Sequence, residues 1–436
     1  MKNKWLLINI VFLFIILIHS IVRDIELTKR MPCDLRNRVV GARIQKTGKS
    51  PYFYHWNPGG NLRYVDPQNI NADSATIANV TASPFFHQML YPVCEYSQKS
   101  LSWMLFFIQY GMLGTIIFLC CRLTNDSIRQ VLVINIGVLF TITEAWKSLI
   151  SAGQLYLFCG FLMMCVIAGI LQRSKTGLII AGMCMAVFVL NRPIALIVFI
   201  PLIILFKTER LFFITSFTCL ILYGLFVLTS PFERFLWNNY SYALQKHVDM
   251  HQIFDLGPPA HYSRPNVTKL EGFDIEKIDR ISVEKPIKTY SETGNFFVIY
   301  YMLTNKRMPL PVLYTLTAGL MIGLIMLFFY YYRKHNLFVI QTLLFSFSLY
   351  IILELCNPIH RFQYNTVQWF PLVLTGIALF RNWKSFAFIL LLLGLLLNIS
   401  NISAILMRHT IGEYFWMIAL LIISMTPIQK IQWKQR

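Results

Sequence analysis

The sequence predicts an all-α polytopic membrane protein, and three observations carry that prediction. Of 436 residues, 56% are hydrophobic and only 14% charged, where a soluble domain carries about a quarter charged. Apolar runs of near-spanning length recur from one end of the chain to the other. Lysine and arginine collect in alternate loops between those runs. The chain therefore reads as a single integral membrane domain over residues 1–436.

In order, the runs fall at about 5–22, 101–121, 131–150, 155–172, 177–191, 194–206, 211–230, 311–332, 337–355, 364–380, 385–406 and 413–428. That predicts roughly twelve transmembrane helices, several shorter than the ~20 residues a straight crossing needs. Short crossings beside polar loops occur where helices line a cavity. The first run follows Lys2 and Lys4 and ends at HSIVRD, with no small-x-small cleavage site. It reads as a retained anchor.

With the N-terminus inside, fifteen Lys and Arg fall in the inner segments, from Lys2 and Lys4 to Lys434 and Arg436. The short outer loops hold only Lys147, Arg192, Arg361 and Arg408. This bias predicts cytoplasmic N- and C-termini. It also accounts for much of the formal +19 charge without invoking a nucleic-acid partner. Two long loops, 23–100 and 231–310, then lie on the outer face, rich in Pro, Asn, Asp and Tyr. Long loops in a compact fold are usually functional. Within the first, SPFFHQMLYPVCEYSQKSL (83–101) is expected to lie along the membrane surface.

The same topology gathers polar residues at the outer ends of spans. Asp34 lies in CDLRNRVVGARIQKTGKSPYFYHW, just past the first run. Glu144, Lys147 and Gly153–Gln154 lie in TEAWKSLISAGQLYLF. Arg192 sits in LNRPIAL, and His360, Arg361, Gln363, Tyr364 and Asn365 in CNPIHRFQYNTVQW. Singly, each reads equally well as an interfacial anchor; together they read as a site, because ionisable groups near a membrane are costly. Cys33 and Cys94 share the first loop and would be free to pair in an oxidising compartment. His247 and His251 in HVDMH have helical spacing but no third ligand, so no metal is expected. No cofactor fingerprint appears either, neither a P-loop nor a dinucleotide motif, and the inner face lacks a D-x-D element.

One acid among several cations suits sugar transfer from a lipid-linked phosphate to a hydroxyl. A phosphate leaving group needs cations but little protonation, and arginine offers a fixed fork of donors. The attacking hydroxyl needs one general base on the opposite face of the ring, whereas glycoside hydrolysis needs two carboxylates. The inventory here fits that requirement, with Asp34 the acid among the cations and Asp66 or Glu144 the fallback base.

Four stretches then resemble glycosyltransferase family 87, the polyprenyl-phosphate-mannose-dependent mannosyltransferases of the GT-C superfamily. DLRNRVVGARIQKTGKSPYF is similar to the family's first-loop signature, with Asp34, Gly41–Ala42–Arg43 and Gly48 to Tyr52 in place. SAGQLYLF resembles its G-Q-x-N element, with Tyr156 where Asn is usual. LNRPIALIVFIPLIILFKTER resembles its K-P-x-x-x-L-x-x-P-L element, with Arg192 for Lys. LCNPIHRFQYNTVQWFPLVL resembles a late S-P-x-x-W-x-H-Y segment, but with His360 ahead of the arginine. The resemblance implies a GT-C fold in a bacterial inner membrane and Asp34 as catalytic base. It implies that Arg192, His360, Arg361, Gln154, Gln363 and Tyr364 bind the donor phosphate or substrate. The donor would be a polyprenyl-phosphate sugar, mannose favoured, and the acceptor a glycolipid or cell-envelope glycan, among membrane lipids. The insertion at 55–75 and the altered 360–364 pattern leave the sugar and acceptor open. A transporter or flippase, or a polymerase or ligase on the same carrier, is the rival class. Against transport stand the missing internal repeat and the gathering of polar residues at one face.

Overall fold

The computed structural model describes residues 2–30, 32–52, 54, 61–64, 82–256, 295–304, 306, 308–335, 337–358, 361–380, 382, 385–399, 407–426 and 428, without the side chains of 2–6, 33, 62, 246–256 and 302. Among the described residues the regular structure is helical throughout, with no strand. A chain in hydrocarbon must satisfy each backbone polar group internally, and a helix does so within one segment.

Helix α1, Lys2–Lys29, outruns the expected 5–22 span. It stays helical through Arg23 and Asp24 because those charges are paired: Arg23 Nη2 lies 2.7 Å from Asp24 Oδ1, and Asp24 is fully buried. Helical structure thus continues to residue 29, into what the sequence presents as the first long loop at 23–100. That loop folds into α2, Cys33–Lys46, and α3, Pro84–Leu90. Ser83 caps α3 by accepting from Phe86 N–H, and Pro84 occupies the first turn, where no N–H is needed. The 83–101 stretch holds this helix, a turn and the start of the next helix. Its α3 packs on α2, and α4, Gln98–Cys121, starts after an intervening turn. In that turn Cys94 is a buried free thiol, while the side chain of Cys33 lies outside the described residues.

The expected 131–150 span is broken. Helix α5, Ser127–Leu139, passes through a 3-10 turn into α6, Glu144–Ala152, with a bend of 57°. Thr143 restarts the helix, its hydroxyl accepting from Trp146 N–H at 3.2 Å. The bend is tied to α1. Arg23 donates to the Thr141 carbonyl, and Trp146 Nε1 and Tyr110 Oη both donate to Asp24 Oδ2, each at 2.7 Å.

Next come α7, Tyr156–Gln172, and α8, Lys175–Asn191, which pair as a hairpin. The expected span at 194–206 is a 3-10 stretch, Pro193–Val198, then the short α9, Phe199–Leu202, and a last 3-10 turn. Helices α10, Arg210–Thr229, and α11, Pro231–Leu256, follow; α11 lies inside what the sequence presents as the second long loop. The remainder is α12, Phe296–Thr304; α13, Leu310–His335; α14, Val339–Leu355; a 3-10 helix, Gln363–Trp369; α15, Phe370–Leu379; α16, Phe386–Ile399; and α17, Arg408–Met425.

Each expected run overlaps helical structure, but length separates them. Leu7–Lys29, Gln98–Cys121, Arg210–Thr229 and Leu310–His335 are long and apolar enough to cross a membrane, and the bent α5–α6 pair makes a fifth. The other apolar helices are shorter. One core joins α4–α8, the 193–205 stretch, α10 and α14–α17, with Trp146, Trp369 and Trp416 fully buried. Phe140 stacks on Phe370 at 3.8 Å inside it. On the outside, α1, α10 and α13 expose rows of large apolar side chains such as Leu7, Phe14, Leu225, Leu316 and Met326. Such faces suit lipid hydrocarbon and describe a membrane-embedded protein.

Candidate functional site

Asp34 sits in the first turn of α2, where the positive helix end favours a carboxylate. Arg38, one turn on, shares its face. What brings this turn to the helix bundle is Gly153, the left-handed C-cap of α6 at φ +67°. A Cβ at Gly153 would lie 2.6 Å from Pro32 Cβ and 2.8 Å from Leu35 Cβ. Only glycine allows both the turn and the close approach of α2.

Gln154 follows and is 3% exposed. Its amide nitrogen donates to Asp34 Oδ2, and its Oε1 accepts from Arg38 Nη2. The acid on one side and the guanidinium on the other thereby set the amide's orientation. Gln109 Nε2 of α4 donates to the Gln154 carbonyl at 2.8 Å, pinning the backbone as well. Gln154 thus links the carboxylate to the guanidinium.

Two residues later Tyr156 opens α7. Its ring stacks on Tyr364 with centroids 5.3 Å apart and 25° between planes. Arg192 lies over Tyr156, Cζ 4.5 Å from the ring centroid, an interaction that contributes about 0.5–2 kcal/mol. Arg192 can reach it because Pro193 follows. Proline disfavours helix at the preceding residue, so Arg192 leaves α8 as its C-cap at φ −138°. Asp34, Arg38, Arg192 and Tyr156 all act electrostatically on the Tyr364 hydroxyl, and Arg192 and Tyr156 act on Tyr240 of α11. The fold thus gathers Asp34, Gln154, Arg192 and Tyr364 from four separate stretches.

Two other sequence candidates are held in ion pairs. Arg361 forms a two-pronged ion pair with Glu413 of α17, with Nη2 to Oε1 at 3.2 Å, and both side chains are buried. Its fork is committed to the protein. Glu144 pairs with Lys147 at 3.4 Å at the start of α6, roughly 13 Å along that helix from Gly153 by its rise per residue. Gln363 opens the 3-10 helix and is half-buried. His360 and Asp66 lie outside the described residues, as do the side chains of His247 and His251.

The remaining first-loop residues dock α2. Gly41 faces the buried His87 ring of α3: a Cβ there would stand 2.7 Å from Nε2. His87 Nδ1 meets Gln45 Oε1 at 3.1 Å, and Gln45 Nε2 donates to the Pro84 carbonyl, so Nδ1 carries the proton. Burial, with Arg38 adding to it, lowers the His87 pKa to about 3. Arg43 donates to the Cys94 and Tyr96 carbonyls at 2.6 and 3.0 Å. Tyr52 donates to the Ala82 carbonyl at 2.8 Å and packs on Tyr240; burial raises its pKa well above 10.

Arg38, Asp24, Glu354 and Glu413 join the arrangement without standing out in the sequence. Arg38 was legible as the i+4 neighbour of Asp34, and Asp24 as an acid at the end of an apolar run. Glu354 Oε2 accepts from Gln368 Nε2 at 2.7 Å, with Tyr350 Oη 2.7 Å from its Oε1, and it lies within electrostatic reach of Arg192. Neither it nor Glu413 has a local sequence signal. No family model, curated protein or solved structure matches the chain.

Proposed function

We propose that this chain is a membrane glycosyltransferase with an outward-facing site, transferring a sugar from a polyprenyl-phosphate donor to a hydroxyl of a glycolipid or glycan. The observation that carries the reading is the Asp34–Gln154–Arg38 bridge beside Arg192 on Tyr156. It supplies one oriented carboxylate with two guanidinium groups in the same cluster. In the proposed reaction the acceptor oxygen forms a bond to the anomeric carbon as the bond from that carbon to the phosphate oxygen breaks. The hydroxyl proton passes to Asp34, and polyprenyl phosphate departs with the electron pair. Attack from the face opposite the phosphate inverts the anomeric centre. Arg192, lying over the Tyr156 ring, serves the phosphate with its fork of donors; Arg38 holds the bridge. The family 87 resemblance, mannose as the sugar, a GT-C arrangement of about twelve crossings and a bacterial inner membrane with both termini cytoplasmic complete the proposal.

The test supplies radiolabelled polyprenyl-phosphate sugars, mannose first, to purified protein with membrane lipid extract, comparing wild type with Asp34→Asn. Label entering a new product with wild type, and at least about a hundredfold less with the variant, is the expected result. Equal transfer by both proteins removes Asp34 as base. Sugar or lipid crossing vesicles without transfer favours a transporter.

A further inference from the structure

Helix α17 begins with two basic residues, Arg408 and His409, and has no acid in its first turn. A helix N-terminus carries partial positive charge, so an acid or a capping oxygen is usual there and cations are disfavoured. The N-cap, Met407, supplies no side-chain hydrogen bond and stands at φ +56°, uncommon for a residue with a Cβ. The nearest acid along the helix, Glu413, is taken by Arg361.

Both basic side chains are buried, Arg408 at 6% and His409 at 1% exposure. Among the described residues Arg408 has neither an ion pair nor a hydrogen bond. Its Nε is sealed from solvent without a partner, whereas its two terminal nitrogens are not sealed, so the fork is the part that stays accessible. The guanidinium remains over the first turn, within electrostatic reach of the His409 ring. That ring is oriented by α16. Asn398 donates Nδ2–H to the Gly394 carbonyl at 2.9 Å, which leaves its Oδ1 to accept from His409 Nδ1 at 3.3 Å. Gly412 makes room for the amide, since a Cβ there would stand 2.5 Å from Asn398 Nδ2. With the proton on Nδ1, Nε2 is a bare acceptor, buried and unpartnered.

We propose that the start of α17 binds a phosphate monoester or inorganic phosphate, with Arg408 and His409 as its ligands and none of the residues around Arg192. A buried guanidinium without a counter-charge is destabilising, and a bound oxyanion supplies one. The fork matches a pair of phosphate oxygens, and the helix end adds to the attraction. His409 Nε2 then selects among oxyanions. A monoester carries a P–OH that donates to a bare nitrogen, whereas sulfate and phosphodiesters have a similar shape without that hydrogen. The same chemistry belongs to free phosphate and to a lipid headgroup. In the turns leading to Asn398, α16 exposes Leu392, Leu393 and Leu396, a face suited to acyl chains. The site stands whether or not the chain transfers sugar.

The test uses the full-length protein in phosphatidylcholine nanodiscs and phosphate-free buffer. Radiolabelled inorganic phosphate is expected to bind saturably, with sulfate competing at least about tenfold more weakly because it leaves Nε2 unpaired. Arg408→Gln should weaken phosphate at least about tenfold, the loss of a charge-assisted pair. His409→Asn keeps a donor for Asn398 but removes Nε2, and should bring phosphate and sulfate within about twofold of each other. Arg192→Gln should leave binding unchanged. A lipid headgroup as the source gives another pattern: free phosphate fails to bind, while phosphatidic acid in the discs raises the melting temperature and phosphatidylglycerol does not. Arg408→Met guards against a folding artefact. It keeps the packed stem and removes an unpaired charge, so it should melt at or above wild type without ligand and gain nothing from either source. No response to either source would overturn the site, as would a response that survives Arg408→Gln and Arg408→Met or disappears with Arg192→Gln. Equal binding of phosphate and sulfate by wild type would overturn the role of Nε2 and with it the monoester assignment.

Discussion

At the residue scale the site depends on geometry that conservative substitutions remove. Arg192 is a planar fork lying on a ring, and lysine would keep the charge without the stack or the fork. Arg192→Lys is therefore expected to raise the donor KM about tenfold, since neither stacking nor bidentate hydrogen bonding survives the change. A lysine variant with wild-type donor KM would remove Arg192 from the phosphate site. Gly41 has a tighter limit, because alanine there meets the buried His87 ring at 2.7 Å. Gly41→Ala should cost about 1–3 kcal/mol by overpacking, visible as a lower melting temperature in detergent. His87 itself adds a pH dependence. It is neutral when folded, with a pKa of about 3, against about 6.5 in an unfolded chain. Between those values the unfolded chain binds a proton that the folded one excludes. Its contribution is thus complete above about pH 6.5 and declines as pH falls, by about 1.4 kcal/mol per unit. Melting measured from about pH 7 down to 4 should show that slope in wild type and a shallower one in His87→Gln.

At the element scale the bend between α5 and α6 decides where Gln154 stands, and α1 holds the bend. Asp24 accepts from Arg23, Tyr110 and Trp146 while fully buried. Removing that acceptor leaves a buried phenol, an indole N–H and a guanidinium to find other partners. Asp24→Leu is expected to destabilise the protein by about 3–5 kcal/mol, and Asp24→Asn, which keeps one acceptor oxygen, by less. Transfer activity should fall with the loosened bend in the same order. Thermal melting and the transfer assay on both variants check this, and a stable, active Asp24→Leu would show that α6 is held without α1. Further ties of α1 to this bent segment are the mutual amide pair of Asn9 and Asn135, at 3.0 and 3.1 Å, and the Thr141 hydroxyl donating to Ser20 Oγ at 2.9 Å.

At the scale of the whole molecule the issue is how many times the chain crosses. Four helices qualify outright, the bent pair makes five, and shorter apolar helices such as α8 and α16 also expose large apolar side chains, Ile180 and Leu396 among them. The charge bias predicts both termini on the cytoplasmic side, an arrangement that requires an even number of crossings. Single cysteines at Asn3 and Gln435, in a cysteine-depleted background, should both resist an impermeant reagent until the inner face is opened. Either terminus labelling from outside would overturn the orientation, and the N-terminus doing so would also put Asp34 on the inner face.

The helical class and the positions of the apolar runs were legible in the sequence, which also singled out Asp34, Gln154, Arg192 and Tyr364 as candidates. They follow from local quantities: hydropathy over a turn or more, charge in short loops, and an ionisable group beside a membrane. Which of those residues meet was decided only by the tertiary structure. Arg361 and Arg192 look alike in sequence, each an arginine in an outer turn. One is consumed by Glu413, fifty-two residues away, and the other lies on Tyr156. The 131–150 run reads as one span because its apolar content is continuous; it bends because Asp24, far back in α1, takes Trp146's N–H. Pairing of buried polar groups is a long-range matter in a low-dielectric interior, where each donor needs a particular acceptor and no local pattern names it.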